Sequence, residues 1–225
     1  MVRVMVSVEE ARIHAHICGD GYLTTYIEKR ALQIVRGRRY YRPRMRYVIG
    51  YSNSEPMLIE EFVRDVKQAY GINCRVLMRG RNLEARFRSK RAFMRLRELG
   101  AGKSHEWFVG EEIINADEDI RREWLRAFFD DEARVTPTES RIRIKSVNLH
   151  GLKLVSLMLM SLGIQNHITG PNSDETWYLV ITKHDVIRYI RRVGFLHPKK
   201  VKTASIILKR LYNYGSLMHL GTEHG

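Results

Sequence analysis

The chain has little cysteine: two residues in 225, Cys18 and Cys74. Two thiols do not make a disulfide framework, and this usage points to an intracellular, cytoplasmic protein. It also has no long hydrophobic run. The longest apolar stretch, residues 152–164, is interrupted by Lys153, two serines and Gly163, so it is too short and too polar to span a bilayer. The first residues have no signal-peptide apolar region, and a membrane is not an expected partner. Acids are the third shortage. Against 39 Lys and Arg there are only 25 Asp and Glu, a formal net charge of +14. Such a surplus says little about fold but points to a polyanion as partner, with a merely basic, solvated surface as the plainer alternative. The length allows one large domain or two small ones, either with a real core.

Two segments stand out. Residues 13–21 read Ile-His-Ala-His-Ile-Cys-Gly-Asp-Gly, and residues 125–133 read Leu-Arg-Ala-Phe-Phe-Asp-Asp-Glu-Ala. Each is a mostly apolar helical segment, then an acid, a small residue and a strand-like run. Asp20 and Glu132 lie 112 positions apart, about half the chain, as a duplicated module with one carboxylate per copy would place them. Two carboxylates brought together can hold divalent metal ions for phosphodiester cleavage.

The rest of the chain repeats in the same way. Residues 54–70 form an amphipathic helix, with Leu58, Phe62, Val66 and Ala69 at helical spacing, ending at Gly71-Ile72. Residues 149–162 form its counterpart, ending at Gly163-Ile164. A hairpin follows each: 73–78 with 82–88, and 165–169 with 175–182. Helices over 90–99 and 184–193 come next, stopping at Gly100 and Gly194. The module is helix, two strands, helix, two strands, helix, and it occurs twice, over 1–115 and 116–225. A helix over about 198–212 closes the chain. The offset between copies is 112 at the acids but 92 at Gly71/Gly163, which leaves about twenty extra residues in the first hairpin. Its tip, residues 36–42, reads Arg-Gly-Arg-Arg-Tyr-Tyr-Arg.

Strand alternation sorts charge from core. Met45, Tyr47 and Ile49 point one way, and Arg44 and Arg46 the other. Leu83, Ala85 and Phe87 oppose Glu84, Arg86 and Arg88, while Ile142 and Ile144 oppose Arg141, Arg143 and Lys145. Arg75 and Arg79 add to the same pattern. Half-buried sheets alternate anyway, but a polar face of arginine in strand after strand favours DNA contact, with Arg36, Arg38, Arg39, Tyr40 and Arg42 extending it along the hairpin. Tyr41, Trp177 and Tyr178 are further stacking candidates, with core packing the equal alternative for Trp177.

Two other patterns are set aside. His14 and Cys18 share a helix face but His16 does not, and no second His/Cys group has zinc spacing, so packing is expected there. Gly-Ala-Gly-Lys-Ser at 100–104 hints at a P-loop, but the required first glycine falls on Arg97 and a helix, not a strand, precedes it.

At residues 13–21 and 125–133 the chain resembles the LAGLIDADG homing endonucleases, in the single-chain form with two motifs; archaeal intron-encoded members look closest. The resemblance implies an α+β fold of two pseudo-symmetric αββαββα halves, with saddle-shaped antiparallel sheets, packed through the motif helices. It implies small residues at the helix seam, here Ala15, Gly19 and Ala127. It implies Mg²⁺ or Mn²⁺ held by Asp20 and Glu132 with the backbone carbonyls of Gly19 and Asp131, double-stranded DNA bound by a monomer, and cleavage of both strands. Two departures stand out. The second motif carries Asp131 where a small residue usually sits. The first half offers Tyr51, Ser52 or Asn53, with no basic residue, where many members keep a basic helper; the second half offers Lys145. A cleavage-deficient binding protein of the same fold, a maturase or regulator, is the competing reading, but such proteins usually lose one of the two acids.

Overall fold

The computed structural model describes residues 5–220. Helix α1 (Val8–Cys18) starts at Ser7, whose hydroxyl accepts the Glu10 N–H at 3.2 Å. Strands β1 (Gly21–Val35) and β2 (Arg38–Asn53) follow, then α2 (Pro56–Tyr70), β3 (Arg75–Arg79), β4 (Asn82–Arg88) and α3 (Lys90–Glu98). A short α4 (Glu111–Ile114), absent from the sequence reading, lies in the connection. The second copy runs α5 (Glu118–Glu132), β5 (Arg134–Thr136), β6 (Arg141–Ser146), α6 (Leu149–Ser161), β7 (His167–Thr169), β8 (Trp177–Thr182) and α7 (His184–Arg192). Helix α8 (Pro198–Leu220) is the last described element and runs eight residues beyond the expected end.

Each copy builds a four-stranded antiparallel sheet, in the orders β1-β2-β4-β3 and β5-β6-β8-β7. The matching helix stops are left-handed caps, with φ of 69° at Gly71 and 70° at Gly163. The expected αββαββα duplication is therefore the architecture.

Helix α1 has two buried faces. Ile13 and Ile17 enter the core over the first sheet with Ile49, Tyr51, Leu58 and Phe62. Ala11, Ala15 and Cys18 enter the core over the second sheet with Trp124, Ala127, Phe128 and Phe129. Large side chains of this kind contribute roughly 1.5–3 kcal/mol each when fully buried. The connection also packs on the second core, through Trp107, Val109 and Ile113. Asn148 fixes it there by donating to the Trp107 carbonyl at 2.6 Å.

The extra length of the first copy is one long hairpin. Strand β2 pairs with β4 only over Val48–Asn53, so the outer part of β1-β2 projects beyond the sheet. It turns at Arg36 and Gly37, both with positive φ (49° and 75°), as a tight two-residue hairpin requires.

Candidate active site at the helix seam

The seam between α1 and α5 begins with the fit of Gly19 against Asp131. A Cβ on Gly19 would lie 2.9 Å from the Asp131 Cβ. The missing side chain of one motif thus makes room for the unexpected side chain of the other. Asp131 does not point towards solvent. Its carboxylate, fully buried, contacts His16 Nδ1 at 2.8 Å and accepts from the Tyr51 hydroxyl at 2.6 Å. Burial works against a charged His16, but Asp131 and then Glu61 outweigh it and raise the imidazole to about 9. Tyr51 is itself fully buried, so it braces Asp131 and does not reach a substrate water.

Of the three first-half candidates, Asn53 is the one that touches the acid. Its amide donates to the Asp20 carboxylate at 3.1 Å and to Asp131 at 3.4 Å. Asp20 stands at an open rim. The surrounding protein still desolvates it, and with the nearby Asp131 raises its carboxyl to about 6. Burial followed by repulsion from Asp20 and Asp131 raises Glu132 to about 7. Burial and the field of Asp131 thus hold both carboxyls above the ordinary carboxylate range, against the opposing charge of Lys200. Among the described residues no three His, Cys, Asp or Glu side chains are arranged to hold a metal ion. A cation here would rest on the two carboxylates, and Gly19 lines the cleft beside Glu132.

Asp130 is accounted for separately. It accepts the backbone N–H groups of Leu196 and His197 at 3.0 Å and an Arg126 guanidinium N–H at 3.2 Å. It therefore anchors the entry to α8 and is no candidate ligand. That anchoring delivers a residue the sequence reading missed. Lys200 Nζ donates to the carbonyls of Phe129 (2.8 Å), Asp130 (2.6 Å) and Asp131 (3.4 Å). The Asp131 carbonyl, expected to be free as a ligand, thus already has a partner. Burial lowers the Lys200 pKa while Asp130, Asp131, Asp20 and Glu132 oppose the drop. No short-range pattern marks Lys200, which is 68 positions beyond Glu132.

Lys145 reaches the second half of the site. It lines one open cleft of about 250 Å³ with Gly19, Glu132 and Ser146. There it pairs with Asp174, which raises its pKa, and lies 5.9 Å from the Tyr178 ring centroid. Ser104, from the rejected P-loop segment, lines the same cleft.

Strand pairing settles which basic residues share a face. Arg44 and Arg46 stand on the face opposite Tyr47 and Ile49, together with Arg86 and Arg88 of β4 and with Arg75 and Arg79 of β3. Two of them meet acids, Arg46 with Glu28 and Arg79 with Glu84. A cavity of about 550 Å³ opens on this face, lined by Tyr22, Thr24, Tyr26, Arg75, Arg86 and Arg88. Along the projecting hairpin Arg38, Tyr40 and Arg42 continue the same alternation, and Arg42 lies 5.9 Å from the Tyr40 ring centroid. Arg39 and Tyr41 alternate to the other face, so the tip does not present all its arginines on one side; Arg36 sits in the turn itself. On the second sheet Arg141 and Arg143 share a face with Lys145. Arg141 pairs with Glu139, and Arg143 lies 4.3 Å from the centre of Tyr178. Trp177 packs partly buried against the core. His14 is a packing residue, as expected, accepting from Trp124 Nε1 at 2.9 Å beside Cys18.

Among the described residues no helix is long and apolar enough to cross a membrane. Residues 119–194 match the model of the LAGLIDADG-like domain family. Among solved structures, the chain is similar to the homing endonuclease I-DmoI in complex with DNA and Ca, with a TM-score of 0.64 and 18% identity over 88% of this chain and 96% of that one. Mesophilic variants of I-DmoI give 0.63 and 20% identity over 83% and 95%. The N-terminal LAGLIDADG domain of DUF199/WhiA gives 0.50 and 14% identity over 86% and 85%. No curated protein matches the sequence. Residues 119–194 are therefore similar to the LAGLIDADG-like domain family, and the whole chain has the two-sheet LAGLIDADG fold.

Proposed function

We propose that this protein is a homing endonuclease that makes a double-strand break in a long, asymmetric DNA target. The reading is supported by Asp20 and Glu132, one from each copy, lying near enough for Asp20 to raise the Glu132 carboxyl, across a seam where Gly19 packs on Asp131 and beside two sheets with arginine-rich faces. The halves 1–115 and 116–225 each take one half-site. The two acids, with the Gly19 carbonyl, hold Mg²⁺ or Mn²⁺. Such an ion supplies an activated water and charge stabilisation of the leaving oxygen.

The chain's own residues do the rest. Asn53 orients the Asp20 carboxylate. Lys145 leaves Asp174 for the phosphate that enters the cleft beside Glu132. The arginines of both sheets read base edges in the major groove and grip phosphates. Retention of both acids favours cutting over a binding-only role, and an intron-encoded origin suits a single chain that carries both halves. Incubating the protein with a library of randomised duplexes and Mg²⁺, then sequencing cut ends, tests the activity. One recurrent cleaved sequence is expected, and its absence with intact DNA binding would leave the binding-only reading.

Two further outcomes follow from this reading. Light scattering of the DNA complex should give one protein chain per duplex, because both acids already sit in one chain; two chains per duplex would refute the monomer. Shortening residues 36–42 to a tight Asn-Gly turn should weaken binding and trim the footprint on one side. It should also flatten the salt dependence, since log K changes by roughly 0.9 per phosphate contact per decade of salt. Among the described residues, 38–42 pair with β1 alone, so the melting temperature should hold. A marked fall in melting temperature with an unchanged footprint would make the arm a structural brace.

A further inference from the structure

The last turn of α5 poses an electrostatic problem. It ends Asp130-Asp131-Glu132 and contains no basic residue, although the carbonyl end of a helix is already negative. Asp130 is answered by Arg126 and by the Leu196 and His197 N–H groups, and Asp131 by His16 and Tyr51. The open carbonyls of the same turn are answered by Lys200. Phe129, Asp130 and Asp131 offer it three oxygens at 2.8, 2.6 and 3.4 Å. An ammonium offers three N–H groups, one for each of these oxygens, the third at the longest distance. As an ammonium, Lys200 is a cation seated in a cradle of carbonyls, within the field of Asp20 and Glu132.

We propose that Lys200 is a built-in cation of the cleavage site, so that the paired acids accept one divalent ion and not two. The inference rests on the nuclease reading. An ion that used the Asp131 carbonyl would share that oxygen with the Lys200 ammonium, whose nitrogen is 3.4 Å from it, and two like charges on one oxygen repel. The remaining donors are the two carboxylates and the Gly19 carbonyl, enough for one ion completed by water. Lys200 does not depend on the flexibility of a long side chain for its position. Asp130 fixes the loop before α8 by its backbone, and the Lys200 N–H bonds the His197 carbonyl at 2.9 Å. Two adjacent acids thus divide the labour: Asp130 docks the helix that brings the cation, and Asp131 supplies part of its cradle.

The test is to count Mn²⁺ bound to the full, metal-stripped chain by electron paramagnetic resonance. Wild type and Lys200→Arg, which keeps the charge, should take a single ion. Lys200→Met, which keeps the stem and loses the charge, should gain an ion or bind its ion at least tenfold more tightly. A merely structural lysine would weaken or leave unchanged the binding in Lys200→Met, and that result overturns the proposal. If Lys200→Met shows no cooperative thermal transition, the wild-type count decides: one ion supports the proposal and two overturn it. Two ions lost together in Asp20→Asn would overturn this inference and leave the nuclease reading standing. No ion in wild type or in any variant would remove both.

Discussion

Asp20→Asn and Glu132→Gln should each abolish double-strand cleavage while leaving specific DNA binding within roughly tenfold, because each carboxylate serves the cation and the chemistry more than recognition. Both substitutions keep the size of the side chain, and the amide oxygen introduced by Asp20→Asn can still accept from Asn53 as a neutral pair. The same changes should stabilise the metal-free protein above neutral pH, and the sign follows from the raised carboxyls. Asp20 stands at about 6 against an ordinary 3.8, and Glu132 at about 7 against 4.5. A group whose pKa is raised by folding contributes stability that is fully present below its unfolded value and lost as pH rises through the folded one. That loss runs from about pH 4 to 6 for Asp20 and from about 4.5 to 7 for Glu132. At pH 8 in a chelator, both variants should therefore melt above wild type, with the gap closing near pH 4. Thermal scans across that range check the second claim and cleavage assays the first. Wild-type cutting by either variant would remove that acid from the mechanism, and equal melting at both pH values would show that the two carboxyls do not strain the fold.

Much of this site was legible in the sequence because it depends on periodicity. The 3.6-residue pattern of α2 and α6, the αL glycines after them and the alternation of β2, β4 and β6 are each set by local residues. The placement of Asp20 and Glu132 follows once the duplication is seen. What lay hidden depends on contacts between distant segments. Asp131 fits only because Gly19 of the other motif lacks a Cβ, and its partners His16 and Tyr51 come from the first copy. Lys200 acts from a helix that belongs to neither repeat. Composition alone groups the tip arginines together, whereas strand parity divides them, with Arg38 and Arg42 on one side and Arg39 on the other. The polar half of the seam was also invisible, since its members are spread over three helices.

That polar half carries the largest stability effect expected from a single change. Arg126 of α5 donates to Glu61 of α2 at 2.7 Å, to Glu123 at 3.0 Å and to Asp130 at 3.2 Å. Arg12 of α1 grips Asp65 with two bonds of 2.7 Å and reaches Glu123 at 3.1 Å. Burial alone would raise Glu61, yet His16 and Arg126 hold it down to about 2, so it is a charged carboxylate inside the interface. Removing one partner of such a buried pair costs about 3–5 kcal/mol, because the other charge is left without compensation. Arg126→Ala should therefore lower the melting temperature by roughly 6–20 °C, at about 2–4 °C per kcal/mol for a chain of this size. It should also loosen the α8 entry through Asp130, so the loss should exceed that of Arg64→Ala, whose exposed guanidinium lies 3.6 Å from the same Glu61. Arg126→Met combined with Glu61→Leu should recover part of the stability, since the Glu61 carboxylate is then gone while Asp130 keeps the Leu196 and His197 N–H groups. Full additivity of the two losses would show that Arg126 and Glu61 do not act as a pair, and the seam would then depend on its apolar face and the Gly19–Asp131 fit.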